Sequence, residues 1–394
     1  AAERTDQYLP LLKGKKVAVF ANQTSTVGNQ HLVDVLKKNG VTIKVIFGPE
    51  HGFRGTADAG EKVENTVDKA TGAPVVSLYG KKRVPSKEDL DGVDVMLFDI
   101  QDVGVRFYTY ISSLQEYMET AIKYNIPLVV LDRPNPNGHY VDGPVLEPKF
   151  KSFVGMQPVP VVYGMTMGEY AKMILEEGWL SKEAMDAYTQ NVLAAIYPPG
   201  AKYFGLTVVP NGNYTHKSMY VLPLKPSPNL PDMQSIYWYP STCFFEGTVL
   251  SEGRGTDHPF QIFGHPSLPK NLYKFTPTSR EGAKEPKLKG QVCYGWNVYG
   301  PVPQVLVKVD NQLQLSYLLE AYKLFPDKSK FFLISKKEAI QPTDYFFNKL
   351  SGNATLMQQI KDGKSEAEIR KSWEPQLTAF KAIRKKYLLY PDFE

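Results

Sequence analysis

The chain has 394 residues, 42% of them hydrophobic and 22% charged, with a formal net charge of +5. That length exceeds one ordinary core and favours two domains, and the composition is that of a globular protein rather than a disordered or fibrous one. Scattered basic residues, only two cysteines (Cys243 and Cys293) and no long apolar run argue against nucleic-acid binding, a disulfide framework and a membrane-spanning helix.

In chain order, Lys16–Ala21 reads as a strand and His31–Asn39 as a helix that stops at Gly40. Thr42–Phe47 and Pro74–Leu78 read as the next strands, followed by a short helical connector from Lys87. Val93–Phe98 is nearly continuous apolar sequence, as expected of a strand covered on both faces. Ser112–Tyr124 carries apolar residues at helical spacing, and Pro127–Leu131 closes the series as a strand. Strand–helix–strand repetition implies an α/β fold with a parallel sheet and right-handed crossovers. No Gly-x-Gly-x-x-Gly follows the first strand, which disfavours a nicotinamide cofactor.

After residue 145, Gly164–Gly178 reads as a helix and Lys202–Pro210 as a strand. The Pro-rich stretch Pro223–Pro231 reads as a linker. Val302–Val309 is rich in β-branched residues and reads as a strand, with helices over Leu313–Leu324, Ala354–Lys361 and Ser365–Tyr387. This division predicts an α/β domain over residues 1–236 and a smaller α+β domain over 237–394.

Four strands in the first half end in bursts of polar residues, and in parallel sheets ligands bind outside the carboxyl ends of strands. Glu50 lies in Gly48-Pro-Glu-His-Gly52, where a stiff turn suits a general acid or base; a carboxylate bonded to its own turn is the plainer reading. His51 beside it either orients Glu50 or meets a ligand. Asp99, Asp102 and Arg106 form either a polar clamp for ligand or an ion-pair network among themselves. Tyr108 and Tyr110 offer a stacking face or a core contact. The prolines around Asn135 make its loop rigid, so its amide serves a ligand or a turn. Thr166-Met-Gly-Glu169 matches a capping box, which is enough to explain Glu169, although a carboxylate at a helix start also projects into clefts. Glu246, Glu252, Arg254 and Asp257 lie in a Gly-punctuated loop able to reach the first domain. No nucleophile elbow, Walker loop or His-Glu-x-x-His is present, which leaves carboxylate chemistry such as glycoside hydrolysis.

Taken together, Asn22-Gln-Thr, Phe47-Gly-Pro-Glu-His-Gly, Asp99–Ile111, Asp132-Arg-Pro-Asn-Pro, Ser152-Phe-Val-Gly, Gly164–Glu169, Pro226-Ser-Pro-Asn, Phe245–Thr256 and Lys386–Tyr390 resemble the exo-β-N-acetylmuramidases of the NamZ family, over nearly the whole chain. The resemblance implies a Rossmann-like catalytic domain over residues 1–236 and a smaller C-terminal domain over 237–394 that closes the cleft between them, and release of N-acetylmuramic acid there, without a cofactor, from the non-reducing end of peptidoglycan fragments. It implies Glu50 and Glu169 as the catalytic carboxylates. Asn22, His51, Asp102, Asn135, Asn229 and Glu246 are the implied sugar contacts. Arg54, Arg106, Arg133 or Arg254 would receive the lactyl carboxylate. Glu252 stands where an uncharged residue is expected. A chain that begins Ala-Ala-Glu and acts on cell wall is expected to be exported or periplasmic after loss of a signal peptide. A non-catalytic muropeptide-binding protein is the alternative, and a metal-dependent hydrolase using Asp99, Asp102 and His51 a third reading.

Overall fold

The computed structural model describes residues 1–49, 53, 66–195, 204–335 and 338–394; Glu50, His51 and Arg54 lie outside them. The first strand, β1 (Lys16–Ala21), is followed by a small ribbon of β2 (Thr26–Val27) and β3 (Gln30–His31). Then come β4 (Thr42–Gly48), β5 (Thr66–Val67), β6 (Pro74–Ser77), β7 (Val95–Asp99), β8 (Leu128–Leu131) and β9 (Leu206–Val209). Seven of these form one sheet in the order β5-β6-β4-β1-β7-β8-β9. All neighbours are parallel except the short edge strand β5 on β6. The chain therefore fills one side of β1, crosses back, and fills the other, the doubly wound path in which the switch lies between β1 and β7.

Alternation within each strand explains why both faces are buried. Val17, Val19 and Ala21 of β1 pack with Leu32, Leu36, Tyr8 and Leu12 on one face. Ala18 and Phe20 face the other way, toward Tyr117 and Met118 of the helix Tyr110–Lys123. The Phe20 and Tyr117 rings meet edge to face at 5.1 Å, and Tyr117 donates a hydrogen bond to the Ala18 carbonyl at 3.2 Å. With no face left to solvent, the strands lose their polar alternation.

Beyond residue 230 the helix Met233–Thr242 leads into a second, smaller unit, so the chain passes residue 236 inside a helix. This unit contains a three-stranded antiparallel sheet of β10 (Ile262–His265), β11 (Tyr273–Phe275) and β12 (Cys293–Asn297), in the order β10-β12-β11. These strands escape a sequence reading because each is short and Gly- or aromatic-rich. Its core is continuous with that on one face of the large sheet: Phe98, Phe107, Phe244, Phe263 and Phe347 belong to one cluster.

Val302–Val309 corrects the sequence expectation: it is a helix, not a strand. Val305 and Val309, four residues apart, are buried on one side while Val307 is 80% exposed. Pro303 sits in the first turn, where a missing N–H costs nothing, and Asp310 ends the helix in a left-handed conformation. Burial at a spacing of four thus overrides β-branched propensity. Both cysteines are buried and unbridged. Among the described residues, no helix is long and apolar enough to cross a membrane.

Candidate active site

At the switch between β1 and β7, the polar residues expected to receive ligand instead satisfy one another. Asn22 Oδ1 accepts from Thr24 N at 2.9 Å and Thr24 Oγ1 at 2.6 Å. Thr24 Oγ1 accepts from Gln101 N at 3.0 Å, and Ser25 Oγ donates to the Asp99 carbonyl. Asn22 is wholly buried, and its amide reaches outward only as far as the Tyr110 hydroxyl, at 3.0 Å.

Several other expected ligand contacts are held by distant parts of the chain. Arg133 grips Asp99 with two bonds of 2.6 and 2.8 Å and gives another to the Thr26 carbonyl at 3.0 Å. Burial opposes its charge, but Asp99 outweighs burial and raises its pKa. Arg106 is wholly buried and has no carboxylate partner among the described residues. It donates to the carbonyls of Pro144, Val159 and Leu350 at 2.8, 2.7 and 2.7 Å, and so ties the two parts of the chain together. Burial pushes its pKa down to about 9. Asp102 Oδ2 accepts from the Tyr163 hydroxyl at 2.5 Å and Gly104 N at 2.7 Å. Burial lifts its pKa to about 6 against those two bonds. Asn135 bonds the Met165 carbonyl and Asn137 N, each at 2.8 Å. Gly104 must lack a side chain here, since a Cβ would come within 2.0 Å of Asn135 Oδ1. None of these four lines the cavity described below.

Glu169 does not line it either. Thr166 Oγ1 and the Glu169 carboxylate complete a capping box at the start of the helix Met167–Glu176. Glu169 is 0% exposed. Oε2 accepts from Thr166 N at 2.9 Å and Oε1 from Leu389 N at 2.7 Å. His216 Nε2 lies 3.0 Å from both oxygens. His216 Nδ1 faces the Gly138 carbonyl at 3.0 Å, so both ring nitrogens are held by the protein. Asp132 adjoins this group, accepting from Thr166 Oγ1, Tyr390 OH and Gly168 N at 2.7, 2.6 and 2.8 Å. Burial raises its pKa to about 6, opposed by the Tyr390 bond and aided by the Glu169 charge. The cluster seals the C-terminal strip Tyr387–Phe393 onto the sheet edge.

The open space is a cavity of about 490 Å³ between the strand ends and the second unit. Tyr79 and Gly80 enter it after β6, and Phe107–Tyr110 after β7. Ser227–Leu230 supply a third side, and Tyr239, Glu246, Arg254 and Phe260 the far wall. Tyr239 meets Phe260 edge to face at 4.8 Å, and Tyr108 meets Tyr110 in the same way at 4.8 Å. The Tyr108 hydroxyl donates to the Pro226 carbonyl at 3.0 Å, which fixes the linker against this wall. Asn229 donates to the Gly282 carbonyl at 2.7 Å.

Gly253 and Gly255 make the placement of Arg254 possible. Both have positive φ, and a Cβ on either would lie 2.3 Å from the Ile262 carbonyl oxygen or 2.4 Å from that of Thr278. Arg254 Nη2 and Nε donate to Glu246 Oε1 at 2.6 and 3.3 Å. Its Nε also lies 3.4 Å from Glu252 Oε1, and Lys287 meets Glu252 Oε2 at 2.8 Å. Burial works against the Arg254 charge, but the Glu246 and Glu252 carboxylates outweigh it and raise its pKa. The unexpected charge at Glu252 is thus neutralised inside the protein. Both Arg254 bonds to Glu246 fall on Oε1, which leaves Oε2 without a hydrogen bond among the described residues.

Of the expected contacts within the described residues, Asn229, Glu246 and Arg254 meet at the cavity, with Tyr108 and Tyr110. Arg83, Phe153, Tyr239 and Phe260 line it as well and were not singled out from sequence. Arg83 sits in a run of three bases, Lys81-Lys82-Arg83, that looks like a solvated turn. Tyr239 and Phe260 merely flank the Gly-rich loop that did attract notice. Among the described residues no group of three or more His, Cys, Asp or Glu is placed to hold a metal ion.

Comparison with known proteins covers both halves of the chain. The family models for the N-terminal and C-terminal parts of exo-β-N-acetylmuramidase NamZ match residues 17–234 and 237–390. The peptidoglycan β-N-acetylmuramidase NamZ of Bacillus subtilis (strain 168) is 36% identical over 407 aligned positions, covering 97% of this chain and 89% of that protein. Two crystal structures of DUF1343 family proteins from Bacteroides fragilis NCTC 9343 share the fold. One has a TM-score of 0.84 and 42% identity, covering 99% of this chain and 98% of the other. The second has a TM-score of 0.75 and 27% identity, covering 98% and 97%.

Proposed function

The chain belongs to the exo-β-N-acetylmuramidase NamZ family, and from that membership we propose that it is a glycosidase that releases N-acetylmuramic acid from the non-reducing end of peptidoglycan fragments. The cavity carries this reading. Its volume of about 490 Å³ is of the order of one or two sugar rings. The half-buried Tyr79 and Tyr108 offer aromatic surface to a pyranose, and Asn229 and Glu246 offer polar atoms to its hydroxyl and acetamido groups.

Cleavage of the linkage requires a proton on the leaving oxygen and attack at the anomeric carbon. We assign the proton donor to Glu50, with His51 and Arg54 as neighbouring substrate contacts. Support comes from the chain just before it: the Gly48 carbonyl that ends β4 accepts from Leu78 N at 2.9 Å, immediately before cavity-lining Tyr79 and Gly80. We assign the second carboxylate to Glu246, which lines the cavity. It either activates water or orients the substrate's own acetamido group for attack. Glu169, expected from sequence as a proton-transfer residue, is assigned a positioning role instead, because every bond it makes is to the protein.

Glu50→Gln and Glu246→Gln are each expected to lower kcat on a chromogenic β-N-acetylmuramide by about 10²–10⁴-fold with an unchanged circular dichroism spectrum. Full turnover in both variants would overturn the assignment. Formation of free N-acetylmuramic acid from a muramyl-glucosamine disaccharide separates hydrolysis from mere muropeptide binding. We also propose a role in cell-wall recycling and a periplasmic or otherwise exported location, since the substrate class lies outside the cytoplasmic membrane. Detection of the native protein only in the cytosolic fraction of its cells would reject that location.

A further inference from the structure

Among the described residues the cavity is lined by two cations, Arg83 and Arg254, and the structure treats them differently. Arg254 already has Glu246 at 2.6 Å and Glu252 at 3.4 Å. Arg83 is exposed and has no ion-pair partner among the described residues; its guanidinium carbon lies 4.1 Å from the centre of the Phe153 ring. Phe153 is itself anchored, because its carbonyl accepts from Ser112 Oγ at 2.8 Å at the start of the helix Tyr110–Lys123. The ring therefore gives the guanidinium a fixed surface to lie against while its N–H edge remains open. The acidic group that feels the Arg83 charge is Glu116, which makes no hydrogen bond to it; burial pushes the Glu116 carboxyl up to about 7, with Arg83 opposing.

Resting on the muramidase reading, we propose that Arg83, held against Phe153, is the specificity-determining residue that receives the carboxylate on the substrate's 3-O-lactyl group. A planar guanidinium offers two parallel N–H bonds to such a carboxylate. It has nothing comparable to give a glucosaminide, which lacks the lactyl ether, or a lactyl amide, which lacks the charge. Arg106 and Arg133 are closed to this role because neither lines the cavity and each spends donors on the protein itself. Arg254 is closed to it because a carboxylate arriving there would meet Glu246.

The test compares wild type, Arg83→Gln, Arg83→Lys and Phe153→Ala on a chromogenic β-N-acetylmuramide and on its lactyl carboxamide. In wild type, the free acid is expected to be the better substrate. Arg83→Gln is expected to lower kcat/KM on the free acid about 10- to 100-fold, mostly through KM, as for loss of a charged hydrogen bond. On the carboxamide it is expected to change kcat/KM less than about threefold, so the acid-to-amide preference collapses. Arg83→Lys keeps charge without the fork and is expected to restore part of that preference. Phe153→Ala is expected to weaken it. Equal losses on both substrates, or no loss on the acid, overturn the proposal while leaving the muramidase reading intact. A wild type that turns over neither substrate marks failure of that reading instead. In that case calorimetric titration with N-acetylmuramic acid decides the matter for Arg83: equal affinity in wild type and Arg83→Gln rejects it, and a 10-fold or greater loss upholds it.

Discussion

Substitution at Glu169 separates a catalytic carboxylate from a structural one. Glu169 accepts from Thr166 N, Leu389 N and the His216 ring, and it is wholly buried. Glu169→Ala removes the capping contact, worth about 1 kcal/mol. It also strips the Leu389 N–H and the His216 ring of their partner, a loss of roughly 1–3 kcal/mol for each. Glu169→Gln is milder but not silent. Its single amide oxygen can serve Leu389 N and His216, as Oε1 does now, but the amide nitrogen then points its hydrogens at Thr166 N–H. One buried donor is left unanswered, at roughly 1–3 kcal/mol. Urea unfolding should therefore rank wild type, Gln and Ala in that order. By size scaling, a loss of 1–3 kcal/mol in a chain this long lowers Tm by only about 1–4 °C, so denaturant midpoints are the better measure. The kcat of folded Glu169→Gln on a chromogenic muramide, at a temperature well below unfolding, should remain within about tenfold of wild type. A fall of a thousandfold with an unchanged urea midpoint would refute this reasoning and return Glu169 to proton transfer.

Other consequences follow from the same geometry. Burial raises the Asp102 pKa from 3.8 to about 6. A carboxyl raised in the folded state stabilises the fold most below pH 3.8, and that contribution is lost as pH climbs through about 6. Asp102→Asn should therefore gain on wild type by about 3 kcal/mol between pH 4 and pH 8 in urea unfolding, and a stability difference independent of pH contradicts the assignment. Gly255→Ala forces a left-handed φ on a residue with a side chain and drives its Cβ to 2.4 Å from the Thr278 carbonyl oxygen. It should displace Arg254 and raise KM on muramide several-fold or more. Gly212, whose Cβ would meet nothing nearer than 4.0 Å, serves as the control for an alanine that leaves KM unchanged.

Much of the sheet was legible because its information is local. The apolar run of β7 and the polar turn after β1 state in sequence that a strand is covered on both faces and where it ends. The cap Thr166–Glu169 was legible for the same reason, since all its partners but His216 and Leu389 lie within one helical turn. Val302–Val309 was misread because its β-branched residues spell a strand locally, while its helix is set by which two valines the core accepts.

The sequence by itself determined the fold class and the family to which the chain belongs. Only the tertiary structure decided which polar residues remain open to a ligand. Arg106 and Arg254 look equally available in sequence. Yet Arg106 reaches the Leu350 carbonyl, 244 residues away, whereas Arg254 lines the cavity beside Glu246. An arginine's donors go to whatever acceptors the completed fold brings within about 3 Å. That is a property of contacts between distant segments, and no window of sequence contains it. The same reason hid Arg83, whose lack of an ion-pair partner among the described residues becomes visible only once the strand ends, the linker and the second unit surround it.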